Sequence, residues 1–401
     1  MNQPSLLEEI SFNEDYVSET LFFEGDTFLQ TLLQSIQQAQ QFILFESYII
    51  EKGECWEKIL SALVQASERG VQVRVLVDGI GTPDWTHETL FELQQKGLEA
   101  KIYNPYPWVR WGFRQPSQSL GWKRFWIWMK LLNRRDHRKV CVIDGRKAFV
   151  GSRNVSDLHL ESIVGKAAWK DISVQLENLD LTPLIFAFEK AWFRAVGLSK
   201  RSHYSFAQRW REWRQRRYYK RPISSFRLNY NHYLKKRFYE ELLNRLYWAN
   251  EAVWIMTAYF SPRRSFLKAL RAAAWAGVDV RIVIPQKSDV RMARWIGTLF
   301  FRPLLRAGVK IYEYQSSVLH SKTMRIDDWY VLGSSNLNLR SLKHDLETDV
   351  VLQQESSIKK LRDHFLSIFD QSQQIQLHRF EKSHLWERFW GRLVAFLRYW
   401  M

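Results

Sequence analysis

The sequence predicts an α/β protein made of two similar halves, each a mostly parallel sheet flanked by helices, packed together as a pseudo-twofold pair. Three observations predict this fold. The segments from Ala39 to Asp78 and from Ala249 to Ile284 show the same order of signals, strand-like and helix-like runs alternate in both, and one polar motif follows a matching short strand in each half. Strands that alternate with helices indicate βαβ units, in which helices cover both faces of a sheet.

The shared elements follow one another in the same order in both halves. An apolar run ends at Tyr48 or Tyr259, and a stretch with helical periodicity then ends at Gly70 or Gly277. Glycine is a common residue just after a helix, so it predicts the end of each helix. An alternating strand comes next, VQVRVLV or VDVRIVI, and a second helical stretch and a short strand, AKIYN or VKIYE, complete the unit.

The repeat predicts the domain boundaries. The first half covers residues 1–198, a basic linker covers 199–224, and the second half covers 225–372. The first half is longer because it carries an insertion at about 104–135. Residues 373–401 are predicted to form a C-terminal amphipathic helix that lies on a membrane surface.

Two segments combine aromatic and basic residues in a way that is typical of membrane-interface segments. In the insertion, the stretch from Trp108 to Lys130 interleaves tryptophans with arginines and lysines. The C-terminal segment from Ser383 to Met401 has an apolar stripe and an arginine-rich opposite face. The alternatives are a helical cap packed on the core for the insertion, a terminal helix docked on the core for the C-terminus, and a solvated connector for the linker.

The charge of the chain points to an anionic partner. Lys and Arg number 59 against 42 Asp and Glu, which gives a net charge of +17, and aromatic residues make up 15%. Nucleic acid and an anionic membrane surface are the partners that such a surface fits. No uninterrupted apolar run reaches about 18 residues, so no transmembrane helix is predicted. Two cysteines, Cys55 and Cys141, cannot form a disulfide framework, which fits a reducing compartment.

The motif that follows the short strand occurs once in each half, as HRKVCVID and HSKTMRID. Each copy has a histidine, a lysine two residues later and an aspartate five residues after the lysine: His137, Lys139 and Asp144, then His320, Lys322 and Asp327. Residues two apart on an extended strand project to one face, so each histidine lies beside its lysine. The two aspartates follow an intervening strand and are predicted to be structural.

Further polar residues follow each motif at matching positions. GSRN supplies Ser152 and Asn154, and an acid, Asp171, comes later in WKDISVQL. The second half supplies Ser334, Asn336 and Glu347 in GSSN and HDLETDVVL. The two serines are predicted to bind substrate. The other histidines, including His159 and His344, lack matching partners and are predicted to be ordinary surface or packing residues.

Two imidazoles, two ammonium groups and two amides around a pseudo-twofold axis suit a phosphodiester substrate. One histidine can attack phosphorus while the other protonates the departing oxygen, and the downstream acid holds the second ring nitrogen. The lysines and asparagines supply positive charge and hydrogen-bond donors at the phosphate. No metal and no other cofactor is therefore predicted.

Both motif copies, with GSRN and GSSN, resemble the paired HxKxxxxD signatures of the phospholipase D superfamily, over a span from about Phe42 to Leu352. LVDGIGTPDW, AYFSP, GVKIYEY, LHSK and GSSNLNLRSL resemble bacterial cardiolipin synthases of the short type without N-terminal transmembrane helices. The resemblance implies two phospholipase D-like halves, a phosphatidyl-histidine intermediate and transfer of a phosphatidyl group from one phosphatidylglycerol to another with release of glycerol. Ser152 departs from the glycine that is common at its position in these synthases.

The resemblance also implies a role for each motif residue. The histidines are the nucleophile and the general acid, with His137 as the nucleophile; Lys139 and Lys322 bind phosphate, Asn154 and Asn336 assist, and Asp171 and Glu347 orient the histidines. Phosphatidylglycerol, other anionic phospholipids and the membrane surface are the expected partners, and no nucleic acid is expected. The expected location is peripheral, on the cytoplasmic face of the bacterial inner membrane.

Three alternative functions are weighed against this one. A phospholipase D-type hydrolase stays open, because the choice depends on whether the pocket excludes water and holds an acceptor. A nuclease of the same superfamily would also use a basic surface, but the two aromatic-basic segments favour lipid. A catalytically inactive scaffold is disfavoured because both histidine–lysine pairs are intact.

Overall fold

The computed structural model describes residues 17–106, 134–198, 225–378, 380, 389 and 390. The predicted linker lies outside the described residues, as do residues 107–133 of the predicted insertion and most of the predicted C-terminal helix.

The first half is built from β-strands and helices that alternate up to the fourth strand. In chain order they are β1 (Ser18–Phe22), α1 (Gly25–Gln37), β2 (Phe42–Ser47), α2 (Glu54–Glu68), β3 (Gln72–Asp78), α3 (His87–Gln95), β4 (Glu99–Tyr103), β5 (Val140–Ile143), β6 (Lys147–Gly151), α4 (Glu161–Val164), β7 (Ser173–Glu177) and α5 (Thr182–Arg194).

The second half repeats this order with additional short elements. They are β8 (Phe226–Leu228), α6 (His232–Tyr247), β9 (Ala252–Met256), β10 (Phe260–Ser261), α7 (Arg264–Trp275), β11 (Asp279–Pro285), α8 (Arg291–Thr298), α9 (Phe301–Leu305), β12 (Lys310–Tyr314), β13 (Thr323–Ile326), β14 (Trp329–Gly333), β15 (Leu337–Asn338), α10 (Leu339–Lys343), β16 (Thr348–Val351), α11 (Glu355–Asp370) and β17 (Ser372–Gln374).

The predicted helix ends are confirmed in both copies of the repeat. Helix α7 buries Phe266, Ala269, Leu270 and Ala273, a spacing of three and four residues that puts all of them on one face. Gly70 after α2 and Gly277 after α7 have φ angles of 88° and 91°. This left-handed conformation is readily adopted by glycine, so both helices end there.

Each half forms its own sheet, and the α/β fold of two similar halves is confirmed. The first sheet has seven strands in the order β1-β7-β6-β5-β2-β3-β4, and the second has eight in the order β17-β12-β11-β9-β13-β14-β16-β8. Strands β10 and β15 form a separate two-stranded sheet. Strand β17 extends the second sheet beyond residue 372, so the predicted boundary between that half and the C-terminal helix is too early.

The prediction of mostly parallel sheets is wrong. Parallel pairing in the two large sheets is confined to β2-β3-β4 and β9-β11-β12, and their other neighbouring pairs are antiparallel. The physical reason lies in short connections. Residues 144–146 join β5 to β6, and residues 327–328 join β13 to β14. A parallel pair needs a crossover of a dozen or more residues, so these strands can form only antiparallel hairpins.

One apolar core joins the two halves. It contains side chains from both sheets and from the helices between them, including Phe188 of α5, Trp254 of β9 and Phe365 of α11, all of them buried. Two further cores lie on the outer sides of the sheets. Because the inner face of each sheet is buried against the other half, the ends of the motif strands meet at the contact between the halves.

Backbone hydrogen bonds join each motif segment to the opposite half. The His137 N–H donates to the Leu346 carbonyl at 3.0 Å, and the His320 N–H donates to the Lys170 carbonyl at 2.9 Å. Asp136 and Leu346 form an isolated parallel bridge, as do Lys170 and Leu319. The acids Asp171 and Glu347 come directly after Lys170 and Leu346, so each lies next to the histidine of the other half.

The motif aspartates Asp144 and Asp327 lie at the opposite end of their strands from the histidines. Each carboxylate accepts three hydrogen bonds from backbone N–H groups at the start of β2 or β9, at 2.7 to 3.0 Å. Both residues have positive φ angles, 52° and 50°, at the hairpin turn. A short polar side chain tolerates this conformation. The carboxylate then lies at the start of the neighbouring strand of the sheet, β2 or β9.

Replacing Asp327 with alanine is expected to lower the free energy of unfolding by about 1–3 kcal/mol, because the backbone N–H groups of Asn250, Glu251 and Ala252 lose a charged acceptor. These bonds lower the pKa of Asp327 below its usual 3.8. The stabilisation is therefore complete above that pH and is lost as the pH falls through the lowered pKa. Thermal unfolding of the variant checks the prediction, with exposed Asp328→Ala as the control. Equal melting temperatures for both variants would contradict it.

Part of the C-terminal segment packs on the second half. Phe380 is buried, with its ring 5.6 Å from that of Phe301, and Trp390 stacks on Trp295 at 6.0 Å. Phe389 between them is 57% exposed. These contacts are the kind expected from the alternative of a docked terminal helix.

Candidate active site

Both motif histidines line one cavity at the contact between the halves. Its volume is about 310 Å³, and His137, His320, Asn154 and Asn336 all line its wall. The four residues come from the segments before β5 and β13 and from those after β6 and β14. The structure therefore brings together the matching groups that the sequence shows 183 and 182 residues apart.

The two orienting acids are exchanged between the halves. The Nδ1 of His137 lies 3.0 Å from Glu347 Oε2, and the Nδ1 of His320 lies 2.8 Å from Asp171 Oδ2. All four residues are buried. A carboxylate at Nδ1 holds the proton on that nitrogen, which leaves Nε2 as the nitrogen for chemistry. Each catalytic pair is therefore built from both halves.

Ser152 and Ser334 lie behind these acids, which corrects their prediction as substrate-binding residues. The Ser152 hydroxyl donates to Asp171, and the Ser334 hydroxyl donates to Glu347 Oε2 at 2.5 Å. Both serines are 1% exposed or less, and neither lines the cavity. Their hydroxyls supply a hydrogen bond to the carboxylate oxygens, so they position the acids.

The two motif lysines are buried next to their own histidines. The Lys139 Nζ donates to the His137 carbonyl at 2.7 Å, and the Lys322 Nζ donates to the His320 carbonyl at 2.6 Å. Lys322 Nζ also lies 2.9 Å from His320 Nε2. Burial lowers the pKa of Lys139 to about 7, aided by the charge of Lys322, and burial lowers the pKa of Lys322 to about 8. Both ammonium groups stay close to their acid–base transition at neutral pH.

The acids of the two histidine–acid pairs have pKa values shifted in opposite directions. Burial raises the pKa of Glu347 to about 7, whereas the pKa of Asp171 is far below its usual range because His320 and its hydrogen bond outweigh burial. Burial and Lys139 hold the pKa of His137 well below 6.5, and burial lowers that of His320 while Asp171 opposes the shift. His137 therefore rests as a neutral imidazole, and His320 has the partner better suited to stabilise a protonated ring.

Asn154 and Asn336 each have an unused hydrogen-bond acceptor. The Oδ1 atom of each is buried and has no hydrogen-bond partner among the described residues. A buried polar atom without a partner carries a free-energy cost, which a bound group can remove. Both amides also line the cavity, where a substrate would reach them.

His159 belongs to this site, so its prediction as an ordinary packing residue is wrong. It is buried on the cavity wall, with Nδ1 3.3 Å from Asp171 Oδ2 and its ring 6.2 Å from that of His320. It follows Asn154 by five residues, and Ser341, five residues after Asn336, also lines the cavity. The offset from the motif asparagine is the signal that could have found it, but the residue types differ between the halves.

Aromatic and charged residues from neighbouring loops complete the wall. The ring of Tyr48 lies 4.7 Å from that of His137, and the rings of Trp169 and Tyr259 lie 5.4 Å and 6.5 Å from that of His320. The charged side chains on the wall are Glu51, Asp289, Arg340 and Asp345. In the sequence, the two tyrosines mark only the ends of apolar runs, and no motif assigns these aromatic and charged residues to the site.

Comparison with known proteins places this site in a family. The family model described as "Cardiolipin synthase, PLD-like domain" matches residues 32–164 and 242–369. Cardiolipin synthase B of Salmonella typhi is 32% identical over 87% of this chain and 79% of its own length. Cardiolipin synthase 2 of Bacillus anthracis is 30% identical over 94% of this chain and 70% of its own length.

Two solved structures share the fold. The phosphatidylserine synthase of Haemophilus influenzae has a TM-score of 0.67 at 12% identity and covers 97% of this chain and 94% of its own. The polyphosphate kinase of Porphyromonas gingivalis has a TM-score of 0.54, also at 12% identity, and covers 88% of this chain and 46% of its own. With a family model matched in both halves and relatives aligned over most of its length, the chain belongs to the cardiolipin synthase family of PLD-like proteins, which are phosphatidyltransferases.

Proposed function

We propose that this protein transfers a phosphatidyl group from one phosphatidylglycerol to another and releases glycerol, through a phosphatidyl-histidine intermediate. One observation carries the proposal: two histidines line one cavity, and each has its Nδ1 held by a carboxylate of the other half. This arrangement suits two successive displacements at one phosphorus atom, in which one histidine bonds to phosphorus and the other moves a proton.

In the first step, Nε2 of His137 attacks the phosphorus of phosphatidylglycerol. The bond from phosphorus to the glycerol oxygen breaks, and that oxygen takes a proton from Nε2 of His320. The neutral state of His137 leaves its lone pair available, and ionised Asp171 stabilises the protonated form of His320. The ammonium groups of Lys139 and Lys322, buried beside the two histidines, supply positive charge for the phosphate, and the two asparagine amides line the cavity that receives it.

In the second step, the hydroxyl of another phosphatidylglycerol attacks the same phosphorus. Its proton passes to Nε2 of His320, the bond from phosphorus to His137 breaks, and the enzyme returns to its starting state. One phosphodiester of a primary alcohol replaces another, so the exchange needs no nucleotide. Asp144 and Asp327 take no part in either step, because they lie at the far ends of the motif strands.

The products formed from phosphatidylglycerol test this function. Purified protein is incubated with phosphatidylglycerol vesicles, and the lipids and released glycerol are separated and quantified. Cardiolipin and glycerol in equal amounts support the proposal. Phosphatidic acid without cardiolipin would identify a hydrolase, and no product would leave the proposed activity without support.

The transfer rate is expected to fall as the pH rises through the range of about 7 to 8. Both lysines must be charged to stabilise the phosphate, and burial lowers their pKa values to about 7 and about 8. The charged forms dominate below these values and are lost above them, so kcat/KM should have an alkaline limb. A pH profile in neutral detergent micelles measures it, with the melting temperature followed in parallel. A flat profile to about pH 9 would contradict the expectation.

We also propose that the protein binds peripherally to the cytoplasmic face of the bacterial inner membrane. No helix among the described residues is long and apolar enough to cross a bilayer. The net charge of +17 favours anionic lipid headgroups. Binding to phosphatidylglycerol vesicles should weaken as the ionic strength rises from about 0.1 M to about 1 M, because the Debye length falls from about 10 Å to about 3 Å. Cosedimentation measures this, with phosphatidylcholine vesicles as the control, and salt-independent binding would contradict the electrostatic part.

A further inference from the structure

On the side of His320, the wall of the cavity carries the carboxylate of Asp289. The ring of Tyr259 lies 6.5 Å from that of His320, and its hydroxyl donates to Asp289 at 2.5 Å. Burial, and then Asp289, raise the pKa of Tyr259 well above 10, so this hydroxyl remains a donor. The Ser288 hydroxyl also contacts the Asp289 carboxylate, at 3.4 Å.

Among the described residues Asp289 forms no ion pair, and its charge acts on His320 and Lys322 by raising their pKa values against the effect of burial. Another cavity acid, Asp345, is paired with Arg340 at 3.1 Å. The pseudo-twofold counterpart of Tyr259 is Tyr48, whose ring lies 5.1 Å from the Lys139 Nζ. Tyr259 instead donates its hydroxyl to Asp289, so the two ends of the cavity are chemically different.

The proposed mechanism predicts which part of the substrate lies next to the Asp289 carboxylate. The proton donor must contact the oxygen that leaves, so the headgroup alcohol lies beside His320. His137 attacks from the opposite side of phosphorus. A carboxylate near His320 repels phosphate oxygens, but it can accept a hydrogen bond from the alcohol. The headgroup of phosphatidylglycerol carries a second hydroxyl next to the reacting one, and ethanolamine carries an ammonium group at that place.

We propose that Asp289, held by Tyr259, determines specificity in an alcohol subsite by accepting a hydrogen bond from the donor group adjacent to the reacting oxygen of the headgroup. The same subsite serves the leaving alcohol of the first step and the acceptor of the second. This inference rests on the proposed function and on the roles assigned to His137 and His320. Tyr259 is a positioning residue, because it acts through the Asp289 carboxylate.

The test compares lipids that differ only in the headgroup alcohol. Alcohol release is measured from phosphatidylglycerol, phosphatidylethanolamine and phosphatidylpropanol with the same acyl chains, in neutral detergent micelles. Phosphatidylpropanol lacks the adjacent donor. In Asp289→Asn, the ratio of kcat/KM for phosphatidylglycerol over phosphatidylpropanol is expected to fall about tenfold, which corresponds to about 1.4 kcal/mol. The wild-type preference between the first two lipids shows whether a hydroxyl or an ammonium group is the natural partner.

Two further variants make the test decisive. Tyr259→Phe should lower the same ratio by a smaller factor, and it provides the result if Asp289→Asn does not fold. Asp363→Asn is the matched control, since Asp363 is exposed on α11 and 57% of its side chain is accessible. A ratio that stays unchanged in both site variants would overturn the inference. Equal losses with all three lipids would also overturn it, because they would assign Asp289 to the chemistry at His320.

The ratio is independent of the fate of the phosphatidyl group. A hydrolase would release the same headgroup alcohols, so phosphatidic acid in place of cardiolipin would refute the proposed function while the ratio still tested the subsite. Failure of the subsite shows in the ratio of alcohols, and failure of the synthase function shows in the lipid product.

Discussion

Replacing His137 with alanine is expected to lower phosphatidyl transfer by at least about 10⁴-fold, because the variant has no Nε2 to form the bond to phosphorus. Replacing His320 with alanine should produce a loss of similar size, since the variant has no imidazole at this position to move the proton. The double variant should be scarcely slower than either single one, because residues that act as a unit do not have additive effects. Product formation from phosphatidylglycerol measures all three rates.

The roles of the two histidines can be distinguished by trapping the intermediate. After a rapid quench, the acid-sensitive phosphatidyl group on the protein should map to His137 in the wild type and be absent from His137→Ala. His87→Ala is the matched control, because His87 is exposed on α3, far along the chain from the motif. Substantial transfer by either single variant would disprove the two-histidine mechanism. Phosphate mapped to His320 would reverse the two roles.

The second large effect concerns the exchanged acids. Asp171→Asn and Glu347→Gln should each lower the transfer rate by about 10² to 10⁴-fold, because the ring held by that carboxylate loses its orientation and tautomer. Asp171→Asn should cost more, since Asp171 is the ionised acid and supports the protonated ring of His320. Rates with phosphatidylglycerol measure both losses. The buried control next to Glu347 is Asp349→Asn, whose amide oxygen can still accept from the Ser335 N–H while its NH₂ group donates to the Ser335 hydroxyl.

The exchange between halves makes a specific spectroscopic prediction. The NMR signals of the His137 ring should change in Glu347→Gln and remain in place in Asp171→Asn, whereas those of His320 should show the reverse. The contact distances of 3.0 Å and 2.8 Å at Nδ1 are the basis for this expectation. If each histidine responds instead to the acid of its own half, the crossed arrangement is wrong.

Much of the fold and of the site could be predicted from the amino-acid sequence. The repeat, the glycines after α2 and α7 and the alternating strands β3 and β11 predict two α/β halves, because local periodicity and helix stop signals act over a few residues. The paired motifs identify His137 and His320 for the same reason, since matching spacing in two copies is visible without any coordinates. The family also follows from these motifs, and comparison with known proteins confirms it.

Other features depend on contacts between distant parts of the chain, and only the tertiary structure decided them. The sheets are mixed because β5, β6, β13 and β14 form hairpins, and strand direction is not encoded in periodicity.

The partners of the site residues were decided in the same way. Glu347 contacts His137 across 210 residues and Asp171 contacts His320 across 149 residues, because backbone bonds join each motif segment to the opposite half. His159 lies 3.3 Å from Asp171 of the same half, a contact between residues 12 positions apart that only the folded structure shows. The sequence by itself determined which chemical groups the protein carries, and the packing of the two halves determined which of them touch, because side-chain partners at an interface follow from geometry rather than from local spacing.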